Sequence, residues 1–233
     1  MNTIRKLGVW SAILSAIMSV LWFITFALKD VLAPVPSWLE LQEYAEAFSP
    51  LRLLYVYPSL ILPLSFIVLL VCIHLSLPEE KHIWSLISLA LGILYATMAS
   101  INYNIQVVAV RQSLAAGETM GIEMFIPDNP HSVFNAMANS YVYLSLSMVA
   151  AGFAFENQGL QQWIRWIFFA QIVTAVGQAG ATMFDLSMNI FYATSMIWVI
   201  GAPVAFVLLG ILFARSNMEF AVHERGEYEA GEA

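Results

Sequence analysis

The stretch Gln171-Ile-Val-Thr174-Ala-Val-Gly-Gln178-Ala-Gly-Ala-Thr182-Met-Phe-Asp185-Leu-Ser-Met-Asn189 decides how this chain is read. Gln171, Thr174, Gln178, Thr182 and Asp185 follow one another at steps of three or four, so on a helix they form one polar stripe along an apolar rod. That stripe must face protein or water. A polar group left unpaired in hydrocarbon costs several kcal/mol, and interhelical pairing or a wet cavity is the usual relief.

The rest of the chain supplies the hydrocarbon. Hydrophobic residues make up 60% of the sequence and charged residues 11%, against roughly 25% charged in a soluble domain. Uncharged apolar runs of bilayer length, about 20 residues for a helix, occur at 7–28, 53–73, 83–110, 132–155, 166–184 and 186–214. The sequence therefore predicts an all-α polytopic membrane bundle of six transmembrane helices over residues 1–215. The basic start at Arg5 and Lys6 precedes an apolar run too long for a signal-peptide core, so the first run reads as an uncleaved span.

Six spans place both ends on one side. With the termini in the cytoplasm, the inner segments carry Arg5, Lys6, Lys81, Arg165, Arg215 and Arg225, and the outer ones carry Lys29, Arg52 and Arg111. That excess predicts an N-in/C-in orientation in the inner (plasma) membrane. The net charge of −7 is concentrated by Glu219, Glu224, Glu227, Glu229 and Glu232, which make 216–233 an acidic cytoplasmic tail, solvated and disordered by its composition. No basic patch exists to neutralise nucleic-acid phosphates, and the single cysteine, Cys72, excludes a disulfide framework and a thiolate metal site.

Between the spans, Ser37-Trp-Leu-Glu40 has the form of a capping box, and Trp38, Leu41, Ala45 and Phe48 share a face, predicting a short amphipathic helix in the outer loop. It serves either as a spacer on the membrane surface or as a lid. Asn129 and Pro130 read as the N-cap and first helical position of the fourth span. The long outer loop is expected over 111–131, and Gly201-Ala202-Pro203 reads as a break within the sixth span.

Assigned a depth by this topology, the polar residues gather in the outer halves of spans three to six. Asn102 and Gln106 lie on the third, Asn135 and Asn139 on the fourth, Gln171, Gln178 and Asp185 on the fifth, and Asn189 and Tyr192 begin the sixth. Turned together, these nine would line an outward-facing polar pocket above an apolar plug. The competing reading is that the same amides knit helices together, and Asp185 has the further role open of capping the sixth span.

Other chemistry finds less support. His74 and His82 flank an inner turn, where a lone histidine reads more readily as solvated or capping. His131 near Asp128 and Asp185 could do acid–base work, but the chain lacks HExxH, GxSxG and a glycine-rich phosphate loop. No catalytic residue, metal ligand or cofactor is assigned.

The run Ser145-Leu-Ser-Met-Val-Ala-Ala-Gly-Phe-Ala-Phe-Glu-Asn-Gln-Gly-Leu-Gln-Gln-Trp-Ile-Arg-Trp-Ile-Phe-Phe169 resembles the inner hairpin of six-span bacterial integral membrane proteins of families of unknown function, and the opening Arg5-Lys6-Leu7-Gly8 is similar to theirs. The resemblance implies a prokaryotic inner-membrane protein and supplies no catalytic residues. Three functional expectations follow: binding, and in its fuller form transport, of a small solute or lipid headgroup in the outer pocket; a non-catalytic subunit or assembly factor, with membrane-protein partners or further copies of itself; and an intramembrane enzyme using Asp185 and His131.

Overall fold

The computed structural model describes residues 3–35, 41–184 and 186–215. The Ser37–Glu40 capping box with Trp38, the residue Asp185 and the acidic tail all lie outside the described residues. Every regular element described is helical, and among the described residues there is no strand.

The helices are α1 (Thr3–Leu32), α2 (Leu41–Ala47), α3 (Val56–His74), α4 (His82–Ile105), α5 (Arg111–Ala116), α6 (Val133–Met137), α7 (Ser140–Gly152), α8 (Gly159–Met183) and α9 (Met188–Ala214). Five helical stretches are long and apolar enough to cross a membrane: Thr3–Leu32, Pro50–His74, Glu79–Ala116, Gly159–Met183 and Asn189–Ala214. The run 132–155 is not one long helix but α6 and α7 in succession. Between them the backbone tightens to i→i+3 bonds, from Asn139 N–H to the Ala136 carbonyl at 3.3 Å and from Val142 N–H to the Asn139 carbonyl at 3.0 Å. The Asn135 side chain meanwhile donates to the Pro127 and Asn129 carbonyls at 3.0 and 2.8 Å, drawing this turn back onto the preceding loop.

Packing follows chain order. The first helix lies against α3 and α9, α3 against α4, α4 against α7, α7 against α8, and α8 against α9, so the α6–α7 rod and the five longer ones close into a ring. One end is tied by Arg5, whose guanidinium donates to the Phe213 and Ala214 carbonyls at 2.9 and 2.6 Å and caps the open end of α9. A Lys81–Glu156 ion pair joins two turns at the same end. This is the terminal end of the ring, and the opposite one is the loop end.

At the loop end a second apolar cluster forms a cap. Tyr44 of α2 meets Val110, Leu114, Ile122 and Ile126, with Leu41, Ala45 and Phe48 packed beside them. The amphipathic helix is therefore present, with Leu41 and Ala45 on its inner face, Tyr44 at the centre of it and Phe48 packed just beyond its end. Arg52, only 4% exposed, lies beneath this cap. Its guanidinium bonds Asp128 through Nη2 at 2.6 Å and Nε at 3.3 Å, and reaches Asp30 at 2.8 Å and the Ala33 carbonyl at 2.9 Å through Nη1. Three distant segments are held by one side chain.

Three further expectations are corrected. The third rod does not end at Val110: Gln106–Val110 forms a π-helical turn and α5 continues to Ala116, closed by Gly117 at φ 71°. Arg111 does not end the helix because its Nε folds back onto the Val107 carbonyl at 3.0 Å, which satisfies the charge without unwinding the backbone. The N-cap of α6 is Ser132, accepting from Asn135 N–H at 3.2 Å, while the Asn129 side chain accepts from His131 N–H at 3.0 Å in a turn one step earlier. Gly201-Ala202-Pro203 causes no break, since α9 runs through it. Gly201 instead makes room for Gln171, whose Nε2 stands 2.9 Å from where a Cβ would be.

Removing one partner of a buried ion pair leaves the other uncompensated, at a cost of about 3–5 kcal/mol. Asp128→Asn should therefore lower the unfolding free energy by about 3 kcal/mol in detergent, and Arg52→Met by a similar amount. Asp30 is 64% exposed, and Asp30→Asn should cost no more than about 1 kcal/mol. Chemical unfolding followed by circular dichroism checks all three, and equal effects at Asp30 and Asp128 would refute the ranking.

Candidate functional site

The polar stripe of α8 is held by α9. The Thr174 hydroxyl donates to the Thr194 carbonyl at 3.0 Å, Gln178 Nε2 donates to Ser195 Oγ at 3.0 Å, and Gln171 Nε2 lies at the edge of hydrogen-bond range, 3.5 Å from the Ile197 carbonyl. The helices approach closely because Gly177 has no side chain: a Cβ there would stand 2.2 Å from Thr194 Oγ1. Thr182 extends the stripe to the broken rod, its hydroxyl 2.5 Å from Asn139 Oδ1.

A second polar group is separate from this one. Asn102 Nδ2 donates to the Phe134 carbonyl at 3.2 Å and Gln106 Nε2 to the Phe125 carbonyl at 2.8 Å. With Asn135, these amides fasten the loop before α6 onto α4. The nine residues singled out by sequence thus fall into two sets. Gln171, Gln178 and Asn139 meet along α7, α8 and α9, whereas Asn102, Gln106 and Asn135 meet at the loop. Asn189 and Tyr192 are exposed on the first turns of α9 and join neither set, and Asp185 is outside the described residues. His131 is exposed, and Asp128 is occupied by Arg52. Among the described residues no three His, Cys, Asp or Glu side chains stand close enough together to hold a metal ion.

The ring interior contains a constellation that polarity did not signal. Trp22 of α1, Tyr141 of α7 and Trp198 of α9 meet one another, with ring centroids 5.2 Å apart between the indoles and 6.0 and 5.5 Å from each indole to the tyrosine. Tyr95 stands 5.8 Å from Tyr141, and the Tyr103 hydroxyl is 2.8 Å from that of Tyr141. These aromatic rings come from four helices. A spacing cue for them exists: Trp22 continues the Ser11, Ser15, Ser19 line at steps of four, four and three, and all three serines are buried. Aromatic residues also populate lipid-facing and interfacial positions, so their type alone gave no direction.

Several buried polar atoms have no partner: Trp198 Nε1, Ser145 Oγ, Gln106 Oε1 and Gln178 Oε1, whereas Trp22 Nε1 faces the Tyr103 hydroxyl. Ser145 is one turn beyond Tyr141 on α7, so it follows the aromatic group along the same face. An unpaired buried group costs about 1–3 kcal/mol. A hydrogen-bonding molecule admitted between these helices would recover part of that.

Above the ring, Tyr44 is the titratable group of the cap outside the apolar helices. Its phenol is pushed well above its ordinary range, first by burial and then by the negative charge of Asp128, with Arg52 opposing. A raised phenol pKa keeps the folded state at full advantage below the unfolded value near 10 and loses that advantage above it. Stability should therefore fall as pH rises past about 10, less steeply in Tyr44→Phe than in the parent chain, as measured by unfolding across an alkaline pH series. For the α8–α9 seam, a double-mutant cycle of Gln178→Leu and Ser195→Ala should give a coupling of about 0.6–2 kcal/mol, and additive effects would show that the bond contributes nothing.

No protein-family model, no curated protein and no solved structure matches this chain.

Proposed function

We propose that this chain is a six-span integral membrane protein, N-in and C-in in the plasma membrane, that binds a small ligand inside the loop-end half of its helix ring. Five helices have the length and apolarity to cross a bilayer. The sixth crossing is supported by its ends: Asp128 is tied to Arg52 at the loop end, and Glu156 to Lys81 at the terminal end. The chain between them spans the ring through α6 and α7. Exposed Trp10, Trp163 and Trp166 lie near the terminal end, where tryptophans suit a membrane–water interface. The Lys/Arg excess at that end supports its cytoplasmic placement.

One observation carries the binding reading: buried polar atoms without partners on α7, α8, α9 and the π-helical turn. A sequence needing those side chains only for packing would satisfy them or replace them by apolar ones, since an unpaired group in a low-dielectric interior is costly. The ligand site moves inward from the pocket first read across spans three to six. Gln106 and Gln178 remain on its border, and the Trp22–Tyr141–Trp198 group forms its wall. Passage of the ligand across the membrane would be a further step.

The runner-up role is a structural subunit of a membrane assembly. It is favoured by Asn102, Asn135 and the Thr174–Thr194 contact, whose bonds all join one segment of this chain to another. The enzymatic reading on Asp185 and His131 has least support, because His131 is exposed and the neighbouring Asp128 is engaged by Arg52, while Asp185 lies outside the described residues.

Two experiments test the proposal. On a Cys72→Ala background, Glu118→Cys should react with an impermeant thiol reagent in intact cells and Glu79→Cys only after permeabilisation; the reverse pattern would invert the topology. Thermal unfolding of the purified protein against a panel of quinones, amines, sugars and lipids should show a stabilising compound, worth about 2.7 kcal/mol at a hundred times its dissociation constant. That shift should be lost in Trp198→Phe. A shift fully retained in that variant would place binding elsewhere.

A further inference from the structure

We infer that the ligand reaches the ring interior from the bilayer and is a neutral lipid with a planar, carbonyl-bearing head on a long hydrocarbon tail, the chemistry of an isoprenoid quinone. This rests on the binding reading above and names its ligand class and its route. The route is a groove of about 490 Å³ between α1 and α9, lined among others by Ala16, Ile17 and Val20 on one side and Pro203, Val204 and Val207 on the other. Every lining side chain is apolar, and Ile17, Val20, Val204 and Val207 are exposed on the outer surface of the ring. In a membrane that surface meets acyl chains, so the occupant of the groove is a hydrocarbon tail.

The head is defined by what stands at the loop-end limit of the groove. On α1 the groove residue Leu21 is followed by Trp22, and on α9 Trp198 precedes Pro203 by five residues. The two indoles meet edge to face at 5.2 Å and an interplanar angle of 84°. The Trp198 N–H has no partner and the residue is only 3% exposed, while the Trp22 N–H faces the Tyr103 hydroxyl. Indole nitrogen only donates, so the complementary group on the ligand is an acceptor. Ser145 adds a hydroxyl without a partner. Trp22, Tyr141 and Trp198 beside these donors are aromatic, which favours a flat π-bearing head in offset or edge contact.

The groove offers no charge to a phosphate head. A phosphate head would require a cation. Arg52 is engaged by two carboxylates at the loop end, while Arg5, Lys81 and Arg165 bond groups at the terminal end. No charged side chain lines the groove. Pro203 adds a feature of its own. Lacking an N–H, it withdraws the helical bond that would reach the Val199 carbonyl, one residue from Trp198. That carbonyl loses its α-helical donor on the helix that carries Trp198.

The test uses the full chain in lipid nanodiscs and three probes: a decyl-substituted dimethoxybenzoquinone, the same ring without the tail, and phosphatidylglycerol. Thermal stabilisation and saturable quenching of tryptophan fluorescence are read in the parent chain, in Trp198→Phe and in the groove-filling variants Val204→Trp and Ile17→Trp, the two keeping the test usable if either misfolds. The tailed quinone should stabilise and quench saturably, the bare ring should bind about tenfold or more weakly, as loss of the tail's apolar burial requires, and phosphatidylglycerol should not compete. Both groove variants should weaken the tailed probe towards the affinity of the bare ring. Equal binding of tailed and bare rings, or tailed binding unchanged in both folded groove variants, overturns the groove. Competition by phosphatidylglycerol overturns the neutral head. If no quinone binds while another compound stabilises the parent and not Trp198→Phe, the quinone class fails and the interior site stands. If nothing binds in a Trp198-dependent way, both readings fall.

Discussion

Arg52 stands where three parts of the chain must meet, and the loop end depends on how its charge is neutralised. A guanidinium that is 4% exposed cannot lose its proton to escape burial. It must be surrounded by acceptors, and those acceptors come from the end of α1, the residues after it and the loop before α6. The fork geometry of the guanidinium turns this requirement into a position. Nη2 and Nε together face the Asp128 carboxylate, while Nη1 is left for Asp30 and Ala33. The first and second rods are thereby fixed relative to the loop that feeds the broken rod, and Tyr44 closes over the pair with the apolar cap behind it.

Below that tie the ring is organised by the scarcity of water. Helices satisfy their own backbone, so the side chains carry the whole problem of polar pairing between rods. Most solve it locally. Ser15 and Ser65 share a hydrogen bond at 2.9 Å, Ser88 and Ser147 another at 3.2 Å, and glycine at 177 lets a backbone carbonyl serve as acceptor for Thr174. The exceptions are concentrated on residues whose rings or amides project into the shared interior. A bundle that pairs serine with serine in this way still leaves the Trp198 N–H, the Ser145 hydroxyl and two amide oxygens unbonded.

How much of this was legible in the sequence follows from which forces act along the chain and which act across it. The long rods were legible because a bilayer imposes a length on each apolar run. The amphipathic α2 was legible from spacing, although Tyr44, its most buried member, was not, since a tyrosine suits either face. Burial of Gln106, Gln171 and Gln178 was also legible, because an amide amid apolar neighbours has to be enclosed. Their division into two sets was not, since partners such as the Phe125 and Thr194 carbonyls have no signature in residue type. Arg52 counted in the sequence only as one outer positive charge. Its role arises from Asp128, seventy-six positions away, and no local pattern joins them. The i→i+3 turn between α6 and α7 contains neither glycine nor proline and gave no warning.

The π-helical turn at Gln106–Val110 has a consequence for how cap and ring communicate. It sits within one continuous rod whose lower part presents Asn102 and Tyr103 to the ring and whose upper part presents Val110 and Leu114 to the cap. A π turn holds one residue more than an α turn, and each residue of an α-helix accounts for about 100° of rotation. Were these five residues to slip into α-helical bonding, everything above them would change phase by about that angle, carrying Leu114 out of the cap while Asn102 stayed in place. The seating of Leu114 in the cap is thus tied to the winding of this one turn, along a single shaft shared by cap and ring.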